Sequence, residues 1–137
     1  MARLAANLAI HAVWIDGSDP SRTGQMNEAR DLALKVKSID PSVRGIDTPL
    51  HIYAMEHNDF AGARRALEAH LAKEPKNPYV YNNFALFYRE MGEPARAVPL
   101  LTQALSLYPK GSDVIFDNLG MAHLALGDND EAIEWLL

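Results

Sequence analysis

Apolar and small residues recur along the chain every three or four positions, the period of helices with one buried face. The first such run is Leu4, Leu8, His11 and Ile15, which reads as a half-buried helix. Tyr81, Phe84, Ala85 and Tyr88 form a clearer one, and Ala97, Leu101, Ala104 and Leu105 form the next. A longer period lies over these short ones. Pro41, Pro75 and Pro109 stand 34 residues apart, as do Ala29, Ala63 and Ala97, and likewise Gly24, Asn58 and Gly92. A further step of 35 leads from Gly92 to Gly127, from Ala97 to Ala132, from Phe84 to Leu119 and from Leu101 to Leu136. One residue is therefore inserted near Gly111-Ser112.

Each kind of residue in this register has a structural task. Two antiparallel helices approach closely only where side chains are small, which suits Ala85 with Ala97, and Gly120 with Ala132. The turn between them needs a residue that tolerates left-handed backbone angles, hence Asn58-Asp59, Gly92-Glu93 and Gly127-Asp128. The three prolines end the second helix of each pair, since proline cannot donate to the helix ladder. The segment Tyr81-x-x-Phe84-Ala85-x-x-Tyr88-x-x-x-Gly92, followed by Ala97-Val98, Leu101, Ala104-Leu105 and Pro109, resembles a complete tetratricopeptide repeat. The next unit matches it with Phe116, Leu119-Gly120, Gly127, Ala132-Ile133 and Leu136, whereas the preceding one keeps Leu50, Ala63, Leu67, Leu71 and Pro75. The resemblance implies an all-α fold of antiparallel helix pairs stacked into a right-handed superhelix of about 3.5 repeats.

Read this way, 1–137 is a single repeat domain with units at 1–43, 44–77, 78–112 and 113–137. The first unit carries a loop insertion at 16–23, ahead of a second helix over Met26 to Ile39. In the second unit Thr48-Pro49 reads as an N-cap followed by proline at the first helical position, leaving 43–47 as an irregular turn. Pro99 should bend the helix that Pro94 opens. The last unit stops half-way through its second helix, where Ile133, Trp135, Leu136 and Leu137 provide no polar cap. The expectation is a fragment of a larger protein that self-associates, as a homodimer, through these residues.

A net charge of −5 over 137 residues changes the picture only by exclusion. Phosphate binding needs clustered Lys and Arg, and the longest cluster is Arg64-Arg65, so neither nucleic acid nor an anionic membrane is an expected partner. The chain has no cysteine, which removes thiol catalysis and thiolate metal sites. The run from Leu4 to Ile15 is too short to span a bilayer and lacks a cleavage pattern. A cytoplasmic location is expected.

Candidate chemistry is sparse. No two of His11, His51, His57, His70 and His123 are spaced for a helical metal site. In register His70 and His123 fall at packing positions, and His57 should be exposed. Glu28, Asp59, Glu93, Asp128 and Asp130 are expected near the starts of second helices, where negative charge complements the helix dipole. Phe84, Tyr88 and Tyr81 occupy packing positions, leaving Tyr79 as the exposed aromatic. No catalytic residue, metal or cofactor is expected.

The tetratricopeptide resemblance implies a concave groove lined by the first helix of each unit. By register its wall comprises Tyr79, Asn82, Asn83, Leu86 and Arg89, then Asp117, Asn118 and Met121, with Ile52 and Met55 from the second unit. Asn83 and Asn118 resemble the asparagines by which family members hold an extended peptide, because an amide both donates and accepts. Of the basic residues that complete a carboxylate clamp only Arg89 is near. The implied function is a non-catalytic scaffold binding a protein or peptide. Trp14, Asn27-Glu28-Ala29-Arg30-Asp31-Leu32-Ala33 with Asp40-Pro41, and Ala97-Val98-Pro99-Leu100-Leu101 are similar to repeat regions of bacterial class III adenylate or guanylate cyclases and related winged-helix regulators. That resemblance implies the alternative of a regulatory or dimerisation segment in a signalling protein.

Overall fold

The computed structural model describes residues 1–5, 7, 11 and 18–136, and among these every regular element is a helix. The chain divides into two compact units, Met1–Lys73 and Glu74–Leu137.

In the first unit residues 2–5 are helical, and Ala5 is buried with Ala33, Val36 and Ile46 while Leu4 is exposed. The expected stripe therefore does not face the core at Leu4; Leu8 and Ile15, with Trp14, lie outside the described residues. His11 is exposed, its Nδ1 2.8 Å from Gln25 Oε1. Helix α1 runs over Pro20–Ile39, earlier than the expected Met26. Its start is set by Asp19, whose carboxylate accepts from the Ser21 N–H at 2.9 Å, and by Pro20 in the first turn. Residues 20–23 are thus helix, not loop, and Asp16-Gly17 lie outside the described residues. Gly24 and Glu28 accordingly fall inside α1 instead of at a turn and a helix start.

Helix α2 is Asp47–Glu56, one residue ahead of the expected cap at Thr48. Ile46 is fully buried at the cap position, and Asp47 in the first turn is 2% exposed, 2.7 Å from the Lys73 ammonium. Burial of these two residues starts the helix, and Pro49 sits where the first-turn N–H groups lack intrahelical acceptors anyway. Helix α3, Phe60–Lys73, follows the turn at Asn58, whose φ is 57°, packs on α2 and buries Ala63, Ala66, Leu67 and His70.

The second unit holds two helix pairs: α4 Pro78–Glu90 with α5 Pro94–Leu107, and α6 Asp113–Leu126 with α7 Asn129–Leu136. Asn77 caps α4 through the Tyr79 N–H at 3.0 Å, and Ser112 caps α6. The turns at Gly92 and Gly127 are left-handed, with φ of 75° and 82°. Helix α5 continues past Pro99 to Leu107. The core is Ala85, Ala97, Leu101, Ala104, Ile115, Leu119 and Ala122. At Gly120 α6 and α7 meet so closely that a Cβ would collide with the Leu136 side chain. Burying mostly alanines brings helix axes together, so the small-residue register becomes packing directly.

Candidate functional site

Within the second unit the first helices of the two pairs, α4 and α6, touch each other. A polar chain joins them. Asn118 Nδ2 on α6 donates to Asn82 Oδ1 on α4 at 2.8 Å, and Arg89 Nη1, two turns further along α4, donates to Asn118 Oδ1 at 3.2 Å. Asn82 is 4% exposed, whereas Asn118 and Arg89 are half-buried. Asn118 is thereby oriented from both sides, and its amide keeps one N–H and one lone pair for an incoming group.

The chain runs along a face that is largely open. On α4, Tyr79, Asn82, Leu86 and Arg89 follow one stripe; Tyr79 is exposed, and Leu86 and neighbouring Asn83 are half-buried. On α6 the same spacing takes Val114, Asp117, Asn118, Met121 and Leu124, and Val114, Met121 and Leu124 are all exposed apolar side chains. Val114 and Leu124 were absent from the expected wall, though their three-to-four spacing from Asp117 and Met121 would have found them. Ile52 and Met55 are half-buried on α2 in the first unit, where the next residue, Glu56, is ion-paired with Arg22 of α1.

Asn83 and Asn118, equivalent by register, differ in the structure. Asn118 takes part in the polar chain, and Asn82, expected only as wall, is its buried anchor. Phe84 and Phe87 are buried, with Tyr88 stacked on Phe84 at 5.5 Å, so this aromatic cluster is core. The Tyr81 hydroxyl donates to the Pro75 carbonyl at 2.9 Å.

The residues expected to mediate self-association are not equivalent either. Ile133 is 54% exposed. Trp135 is half-buried, packing on the core and stacking on Phe116 at 5.9 Å. Leu136 is exposed on one side and covers Gly120 on the other, and Leu137 lies outside the described residues.

The histidines are packing or surface groups. His70 is buried, His123 is half-buried with Nδ1 3.6 Å from an Asp128 carboxylate oxygen, and exposed His57 stacks on Tyr53 at 4.0 Å. Burial first, and then neighbouring His70, push His51 down to about 4, which keeps its ring neutral. Among the described residues no three His, Asp or Glu side chains gather as metal ligands, and no helix is long and apolar enough to cross a membrane.

The pairing of helices, the left-handed inter-helix turns and the small-residue crossings are those of the repeat noted in the sequence. Two family models described as tetratricopeptide repeat match residues 52–112 and 88–137, together more than half of the chain. The chain belongs to the tetratricopeptide-repeat family. A MamA crystal structure shares 20% identity over 98% of this chain and 68% of its own, with a TM-score of 0.73. A second MamA structure gives 20%, 98%, 74% and 0.75 for the same measures. The nearly identical TPR-like repeats of a putative kinesin light chain from Podosopora anserina share 22% identity over 98% of this chain and 82% of theirs, with a TM-score of 0.63. At these identities the likeness is one of fold. No relative among curated proteins matches the chain.

Proposed function

We propose that this tetratricopeptide-repeat chain is a non-catalytic scaffold that binds an extended peptide segment of a partner protein along the α4–α6 face. The observation carrying this reading is the Asn82–Asn118–Arg89 chain, set beneath exposed Tyr79, Val114, Met121 and Leu124. Oriented amides between apolar side chains can hold a peptide backbone while the apolar groups select its side chains. The only guanidinium on the face, Arg89, is already bonded to Asn118, and exposed Asp117 is close in sequence. The ligand is therefore apolar and not strongly acidic.

The regulatory alternative rests on Trp14, which lies outside the described residues, on Asn27–Ala33 with Asp40-Pro41, and on Ala97–Leu101. Ala29, Ala33, Ala97 and Leu101 are all buried, so helix packing already accounts for those residues. The scaffold reading is preferred for that reason. A peptide array should yield apolar sequences whose affinity, by titration calorimetry, falls at least about tenfold in Met121→Asp and Leu124→Asp. Both side chains are exposed, so the circular dichroism of the variants should be unchanged. Undiminished affinity in both variants would place the ligand elsewhere and end this reading.

A further inference from the structure

The first unit contains a cavity of about 330 Å³ formed by α1, α2 and α3. It lies on the second helix of one pair, α1, together with both helices of the next. Its apolar lining includes Leu34, which is 47% exposed, half-buried Leu50 and buried Ala66.

The charges around it are unevenly committed. Asp47 is held by Lys73 at 2.7 Å, and Asp59 caps α3 by accepting from the Gly62 N–H at 2.9 Å. Arg30 pairs with Asp31 at 2.8 Å and lies over the Tyr53 ring at 4.5 Å. Arg64, next to Arg65 in sequence, pairs with Glu68 at 3.0 Å. Lys37 and Arg65 are exposed, and among the described residues neither has an ion-pair or hydrogen-bond partner. Both anions in the lining are thus spoken for, and two cations are left over beside an apolar floor.

The wider charge distribution sharpens the contrast. Residues 1–73 contain nine Lys and Arg against nine Asp and Glu, whereas 74–137 contain four against nine, so the net charge of −5 belongs to the second unit. An anionic ligand is repelled there and meets a neutral body with a cationic rim in the first unit.

We infer that this cavity is a second docking site, one that takes an acidic peptide segment bearing an apolar anchor residue. The anchor enters between Leu34, Leu50 and Ala66, and flanking carboxylates pair with Lys37 and Arg65 on the rim. A cavity near the lower end of ligand-pocket volumes accommodates one or two side chains. Two free cations are too few for a nucleic-acid backbone. The site goes beyond the α4–α6 reading and shares no residue with it, so either can fail alone.

The test is fluorescence anisotropy with a fluorescein-labelled peptide of glutamates flanking a leucine pair, titrated with the full chain. Saturable binding should weaken with added salt and fall at least about tenfold in K37E/R65E. Leu34→Asp should weaken it as well, and a lysine-for-glutamate peptide should not bind. All three substituted side chains are exposed, so folding is preserved and circular dichroism confirms it. Absence of saturable binding, or equal binding by K37E/R65E, overturns the inference. So does light scattering that shows wild-type chains associating and K37E/R65E chains not, because the occupant would then be the acidic second unit of another copy.

Discussion

Removal of Asn118 tests whether the polar chain of the second unit, proposed above to bind peptide, is also a structural joint. In Asn118→Ala the Asn82 Oδ1 loses its donor, and Asn82 is only 4% exposed, so water cannot replace it freely. A buried acceptor left without a donor costs about 1–3 kcal/mol, and the lost Arg89 bond adds about 0.5–1. In Asn82→Ala the stranded partner is Asn118, which is half-buried and still reached by Arg89, so the cost is about 0.5–1.5 kcal/mol. Each single change breaks the same 2.8 Å bond, and the double variant should therefore cost about 1 kcal/mol less than the sum of the singles. Urea titrations of the full chain followed by circular dichroism give all three values. A larger loss in Asn82→Ala than in Asn118→Ala, or a double variant equal to the sum, would refute this coupling.

Lys73→Met leaves Asp47 buried without its counter-ion and should cost about 3–5 kcal/mol, most of it recovered by adding Asp47→Asn; a neutral Lys73→Met would refute the pairing. His51 has its folded value lowered to about 4, chiefly by burial and then by His70, so its contribution is complete above 6.5 and is lost as pH falls toward 4. The melting temperature should therefore drop across that window more steeply in the wild type than in His51→Gln, and equal slopes would count against a buried neutral ring. Gly24 and Gly127 should respond to alanine with opposite signs: Gly24→Ala, inside α1 with open space around it, gains about 0.5–1 kcal/mol, and Gly127→Ala, at φ 82°, loses about 1–2. Trp135→Ala should lower the unfolding midpoint because the indole stacks on Phe116, whereas Ile133→Glu, at an exposed position, should stay within about 0.5 kcal/mol of wild type.

The pair of glycines shows where the register carries structural information and where it stops. At Gly92 and Gly127 the period marks a left-handed turn, because each stands between two helices already specified by their apolar stripes. Gly24 has the same spacing, but Asp19 and Pro20 start a helix before it, and a capped helix carries an isolated glycine through. Local capping therefore outweighed the repeat at the first unit. The same competition moved the start of α2, where the pull of Ile46 into the core and of Asp47 toward Lys73 outweighed the capping signal at Thr48. The ion pair joins residues 26 apart in sequence, and no local pattern announces it.

The α4–α6 face divides along the same line. Helical spacing reads which side chains share a stripe, and on that basis Tyr79, Leu86, Asp117 and Met121 could be named without coordinates. It cannot assign partners across helices. Register made Asn83 and Asn118 equivalents, yet Asn118 bonds Asn82, 36 residues away, and so acquires a fixed orientation. The difference follows from position in the array: α6 reaches back to α4 within the second unit, and that contact decides which asparagine joins the polar chain. A peptide arriving at this face therefore meets one amide already set by Asn82 and Arg89 and another, Asn83, that is half-buried outside that chain. Since holding a group in its bound geometry beforehand lowers the entropy lost on association, Asn118→Ala should weaken peptide binding more than Asn83→Ala. Calorimetry on the two variants with the same peptide decides the order, and a larger loss at Asn83 would mean that the pre-set amide serves only the fold.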